Sequence, residues 1–332
     1  MNRHLASTGL PAIVFTFVSL VSVSLSAQTP ASQPDPGPAE STWTARMPWG
    51  DPDLQGMWSY ATLTPLERPP EMGDREYLTD EEVAARDASS VIDHQPRPGD
   101  TGNYNRFWFD QGSASTRTSQ IVDPPTGRLP PMTSDARRRL DRRRHLRSDG
   151  YVPDSWLDLQ TDDRCIMYHG VPPQPSGYNN TWQLLQTPGL VVIRVENIHD
   201  VRFIRLDGRT HLPSGIRQWN GNSIGHWEGD TLVVETTNYS EKTELRYPLQ
   251  LEGFHHARAI ERFTRVDADT IDYRFTIEDP TVYTRPWTAL LPLTNLHDYL
   301  MYEYACHEGN YAMVNMLSGA RQADMEVRGS RR

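Results

Sequence analysis

From Tyr178 onward, apolar and polar residues alternate in short runs separated by turn residues, the period of two expected of β-strands. "NTWQLLQT", Pro188-Gly189 and "LVVIRVE" read as a hairpin. "HDVRFIRLD" follows and stops at Asp207-Gly208. "IGHWEG" and "DTLVVETTNY" form a second hairpin around Gly229-Asp230, and "ARAIERFTRVD", Ala268-Asp269 and "TIDYRFTIED" form a third. "RPWTALLPLT" and "LMYEYACHE" complete the series. About nine such strands in sequence predict a mainly β fold, an antiparallel meander closing into a calycin-like or lipocalin-like barrel. A β-sandwich is the alternative.

Alternation also sorts the faces. Ile271, Tyr273, Phe275 and Ile277 make an apolar face, which leaves Asp272, Arg274, Thr276 and Glu278 for solvent. His199, Val201 and Phe203 share one face of their strand, with Arg202 and Ile204 on the other. Glu261 lies on the same face as Ala259 and Phe263. If that face points inward, the carboxylate needs a partner, for which arginine or histidine is suited.

The N-terminal half is different. Residues 1–27 have the layout of a signal peptide, with the apolar stretch Leu10 to Val23 too short for a comfortable membrane span and small residues at Ser24, Ser26 and Ala27. An N-terminal anchor helix is the alternative. Residues 28–42 read as a Pro-rich linker and 43–153 as an irregular arm packing on the barrel. That arm holds two short helices, one begun by Thr79 with Glu82 as a capping box, the other by Ser134. "RTSQIVDPPTGRLP", with Arg117, Asp123 and Arg128, reads as a strap held by ion pairs. The β domain spans 154–322, with 323–332 as a disordered tail.

The chain has 332 residues, a net charge of −10 and a single lysine, Lys242. The charge argues against nucleic acid as a partner, even though seven arginines fall between Arg137 and Arg147. Outside residues 1–27 no apolar run is long enough for a stable membrane span. Lys242 sits in a polar run, a poor setting for Schiff-base chemistry. Cys165 and Cys306 are the only cysteines, and an even count in an exported chain predicts a disulfide between them. That bond would bring His169 near His307.

No nucleotide loop, nucleophile elbow, H-E-x-x-H or haem motif is present, so the sequence offers no basis for a cofactor and we expect none. The densest polar constellation is His199-Asp200-x-Arg202 with His211 a loop later. With His307 these histidines are a conceivable divalent-metal set, but their spacing fits no standard motif. A metal-free acid–base site is preferred: His199 or His307 as acid or base, Glu261 and Asp200 as partners, Arg202 or Arg217 as anion clamp, and Tyr302 or Tyr273 as proton donor. Asn179, His211, Arg217, Trp227 and Tyr273 are candidate ligand contacts. Asn179 and Trp227 are also explained by turn formation and hairpin packing.

"DPDLQGMWSYATLTPLERP", "RTSQIVDPPTGRLPP", "IHDVRFIRLDGRTHLP", "GHWEGDTLVVETTNYS", "ERFTRVDADT" and "YEYACHEGNY" together resemble stretches of a large family of exported bacterial proteins from soil and marine lineages. The resemblance covers about residues 45–322. It implies secretion and a β-rich fold and supplies no catalytic residue. Three functions are therefore weighed: an acid–base enzyme on a small organic molecule, a periplasmic binding protein for an apolar or aromatic ligand, and a structural envelope protein.

Overall fold

The computed structural model describes residues 41–89, 109–110, 112–145, 152–168, 170–245, 251–252 and 254–330. The signal-peptide and most of the linker assignments lie outside these residues. The strands are β1 Gly56–Ser59, β2 Ile121–Asp123, β3 Thr181–Thr187, β4 Leu190–Val195, β5 Val201–Arg205, β6 Asn222–Glu228, β7 Thr231–Thr237, β8 Glu244–Leu245, β9 Leu251–Glu252, β10 Arg258–Arg265, β11 Thr270–Glu278, β12 Trp287–Leu290 and β13 Leu293–Asn295. The helices are α1 Asp80–Ser89, α2 Ser134–His145 and α3 Ala312–Ser330.

Nine strands close a barrel in the order β10-β7-β6-β5-β4-β3-β1-β13-β11, with β11 pairing back to β10. The three hairpins read from the alternation are all present: β3/β4 turning at Gly189, β6/β7 at Gly229, and β10/β11. Both of those glycines have positive φ, as tight hairpin turns require.

The barrel departs from a simple meander in two ways. β1 comes from the N-terminal arm and fills the wall between β3 and β13, with Trp58 opposite both Trp182 and Asn295. The arm is thus part of the barrel as well as packing on it. β5 and β6 run parallel and are joined at a single register point, Arg205 with Ile224, because the connection through residues 206–221 does not reverse the chain as a hairpin does. The strap is also a strand: β2 pairs with β12, which in turn extends from β11. Within the strap Arg117 is buried and bonded to Glu76 at 2.8 Å, while Asp123 meets Arg285 at the surface.

The core is aromatic. Trp182 lies 5.3 Å from Tyr60, 5.6 Å from Tyr273 and 6.2 Å from Phe263, centroid to centroid. Ile271, Tyr273, Phe275 and Ile277 all point inward, as the alternation requires. Their outward neighbours are not all solvated, since Asp272 is buried and bonded to Arg274.

The C-terminus corrects two readings. "LMYEYACHE" is not a strand: β13 ends at Asn295, and a loop runs to Tyr311. Its alternation puts Tyr302, Tyr304 and Cys306 on one face against Glu303, Ala305 and His307 on the other, yet the segment joins no sheet and Tyr302 stays 74% exposed. Residues 312–330 form α3, so the stretch from 323 is helical rather than a disordered tail. Alanine, methionine, leucine, arginine and glutamine favour helix there, and Asn310 Oδ1 accepts from the Ala312 N–H at 3.1 Å as the helix starts. The disulfide is formed, with Cα atoms of Cys165 and Cys306 5.7 Å apart, but it joins two loops rather than a last strand. His169 lies outside the described residues.

Candidate functional site

Alternation in β5 turns Arg202 and Ile204 inward and leaves Val201, Phe203 and Arg205 outside. Arg202 therefore enters the barrel, where Glu261 of β10 waits. The pair is bidentate, Nη1 to Oε1 at 3.1 Å and Nη2 to Oε2 at 2.6 Å, and Glu261 is fully buried. The Tyr273 hydroxyl donates to Glu261 Oε1 at 2.9 Å. Arg202 Nη2 also reaches Ser223 Oγ at 3.2 Å and Thr236 Oγ1 at 3.4 Å, and those two hydroxyls lie 2.8 Å apart.

Burial pushes the Arg202 guanidinium down, but the charge and hydrogen bonds of Glu261 outweigh it and hold it above its ordinary value. Burial first, and the Glu261 charge second, push the Tyr273 hydroxyl well up. Tyr273 is thus a fixed neutral donor to Glu261. This corrects the expectation that Tyr273 donates to a substrate and that Glu261 partners a histidine, because both are sealed in the core and Glu261 is committed to Arg202 and Tyr273.

The wall is open where β5 and β6 fail to pair. Gly225 lets β5 side chains close part of the gap: a Cβ there would lie 2.9 Å from Ile204 Cγ2 and 3.0 Å from Leu206 Cδ2. Gly221 has φ +70° and would set a Cβ 2.6 Å from the Thr237 carbonyl, so β6 can start only on glycine. Beside these contacts is a cleft of about 330 Å³, whose lining includes Arg202, Ser223, Phe203, Arg205 and Asn220. Phe203 and Arg205 belong to the outer face, and buried Arg202 and Ser223 of the inner network stand behind them in the lining. The 206–221 loop that borders it is pinned by Asn238, whose Nδ2 lies 3.0–3.1 Å from the carbonyls of Leu212, Pro213 and Ile216.

His211 stands in this loop between Thr210 and Leu212, both in the cleft lining. Its Nδ1 lies 3.1 Å from Asn222 Oδ1 and its Nε2 3.2 Å from Glu235 Oε1. Glu235 in turn bonds Arg258, which bonds Glu278 at 2.9 Å. The Arg258 hydrogen bond holds the Glu235 carboxyl below its usual range. At the other end of the loop Asp200 Oδ2 accepts from Asn220 Nδ2 at 3.1 Å.

The remaining expected residues are scattered. Arg217 is exposed and bonds the carbonyls of Tyr239 and His255, a structural role. Asn179 adopts φ +59° in a turn, where its carbonyl accepts from Asn197 Nδ2. Trp227 packs half-buried against the core. Tyr302 and His307 are exposed on the disulfide loop, away from any barrel strand, because that segment never joins the sheet. The backbone of His199 ends the 3₁₀ turn Asn197–His199, and its side chain lies outside what is described. Among the described residues no group of three or more His, Cys, Asp or Glu is placed to hold a metal.

Alternation alone overlooked Phe203, Arg205, Asn220 and Ser223. The available signal was a strand with large apolar residues on both faces, Val201 and Phe203 against Ile204. Compared with known proteins, the chain matches no family model, no curated protein and no solved structure. Among the described residues no helix is long and apolar enough to cross a membrane, which with the disulfide is compatible with export.

Proposed function

We propose that this is an exported protein, periplasmic or secreted, that binds a small organic molecule in the cleft between β5 and β6. The observation that carries this reading is the cleft itself, where one bridge joins two wall strands and the lining runs from exposed Phe203 to buried Arg202. The barrel interior is taken up by aromatic rings and the Arg202–Glu261–Tyr273 cluster, which favours a ligand at the seam over one in the centre. Phe203 at 58% and Val201 at 45% exposure supply apolar surface with no structural need to be outside. The predicted signal peptide and the resemblance to exported bacterial proteins support the location.

A fragment screen by ligand-observed NMR tests the reading. Hits are expected to bind the wild type and to lose binding in Val201→Trp, which fills the cleft from an exposed position. Hits that bind Val201→Trp and Phe203→Ala as well as the wild type would sink it.

One observation favours a catalytic version of the same site. The His211–Glu235 pair borders the cleft and has the composition of an acid–base unit. It would serve hydration, elimination, isomerisation or hydrolysis of the bound molecule. Turnover of a bound hit, abolished in His211→Asn with binding retained, separates an enzyme from a binding protein.

A further inference from the structure

The polar atoms of the cleft point to a more specific ligand. We infer that it takes a small organic acid: a carboxylate on an apolar body, with a hydroxyl or amide N–H donor beside the carboxylate. This inference rests on the cleft being the binding site.

Charge comes first. Three arginines line the cleft. Arg202 is neutralised by Glu261, and Arg209 is bonded to Asp207 by Nε at 2.8 Å. Arg205 is the third. Among the described residues it makes no hydrogen bond or ion pair, and its only electrostatic neighbour is Asp207, already taken by Arg209. A cationic ligand would meet this charge unopposed, whereas a carboxylate would match it with the planar geometry guanidinium favours.

Two unmet atoms refine the choice. Arg202 Nε is buried without a hydrogen-bond partner, on a side chain 4% exposed. It is a donor, and a ligand oxygen would satisfy it. Asn220 Oδ1 is buried and also without a partner. Asp200 holds the other end of that amide through Nδ2, so the oxygen is an acceptor of fixed orientation. A bare carboxylate leaves it unsatisfied, while a ligand O–H or N–H next to the carboxylate meets it. Phe203 and Leu212, both exposed and both in the lining, suit a ring or short aliphatic body. About 330 Å³ lies at the small end of ligand pockets, consistent with a single-ring acid.

Calorimetric titration of the full chain with mandelate, phenylacetate and mandelamide tests each element. Mandelate carries the charge and the hydroxyl, phenylacetate the charge without a donor, and mandelamide the hydroxyl with a neutral amide in place of the charge. Mandelate is expected to bind roughly tenfold more tightly than mandelamide and several-fold more tightly than phenylacetate. Arg205→Gln should bring mandelate down to the mandelamide level and leave mandelamide unchanged. Asn220→Ala should abolish the preference for mandelate over phenylacetate. Equal binding of mandelate and mandelamide, or an Arg205→Gln variant that binds mandelate as well as the wild type, overturns the acid assignment. If neutral fragments still bind and Val201→Trp excludes them, the cleft reading survives that result. If neither the acids nor any fragment binds, both fall.

Discussion

Arg202 and Arg205 sit three residues apart on one strand and belong to two different regions of the molecule. Arg202 turns into the barrel and is met by Glu261, with Tyr273, Ser223 and Thr236 around the pair. Arg205 lies on the outer face in the cleft lining and makes no hydrogen bond or ion pair among the described residues, with Asp207, held by Arg209, as its acidic neighbour. The inner region is closed: its charges cancel and its rings fill the space. The outer region is open: it holds an unopposed cation, an acceptor with nothing to accept, and exposed aromatic surface. A buried charge left alone would cost too much to keep the fold, so the inner arginine has to be paired by the protein. Water satisfies an arginine at the surface, which leaves Arg205 available to something else.

The strongest challenge to this contrast is at Glu261. Glu261→Ala strands the Arg202 charge in the core and should lower stability by about 3–5 kcal/mol in urea denaturation. Replacing both partners, Arg202→Met with Glu261→Leu, should recover most of that loss. If the single variant is as stable as the wild type, the inner cluster is not closed as described. Cys165→Ser with Cys306→Ser comes next. The crosslink spans a sequence separation of 141, and its removal should cost about 2–4 kcal/mol while leaving cleft binding intact, since both loops lie off the barrel wall. Loss of binding in that variant would show that the two regions are not independent.

The rim pair Glu235–Arg258 is intermediate, with Glu235 about a third exposed. The folded-state pKa of Glu235 lies below its unfolded value, so its contribution is present above the unfolded pKa and fades as pH falls through the folded one. Glu235→Gln should therefore cost under about 1 kcal/mol at pH 7 after solvent screening and have no effect at low pH. An equal cost at both pH values would assign the loss to packing. The smallest effect is expected at Arg205, where Gln should change stability by no more than about 0.5 kcal/mol. A larger loss would mean that Arg205 has a structural partner and would erase the contrast with Arg202.

Much of the barrel was legible in the chain. Period-two alternation located the three hairpins and the inward face of β11, because a strand can bury only alternate side chains. It put Glu261 on the face of Ala259 and Phe263, called for a basic partner if that face turned inward, and put Arg202 on the face opposite Phe203. The even cysteine count anticipated the disulfide. Alternation misled at "YEYACHE": the segment alternates but pairs with no strand of the sheet, so it stays a loop and the histidine expected there is a surface residue.

Other features depend on distances between segments remote in sequence, which no local pattern encodes. Which base would meet Glu261 was decided by β5 and β10 standing across the barrel from each other, 59 residues apart in the chain. That β1 from the arm would complete the wall followed from a gap between β3 and β13. The cleft lies where the 206–221 connection brings β6 back parallel to β5 with a single bridge between them, so the wall hydrogen bonding at that seam is incomplete. Local sequence determines which way a side chain points from its strand; only the closed sheet determines what it finds there.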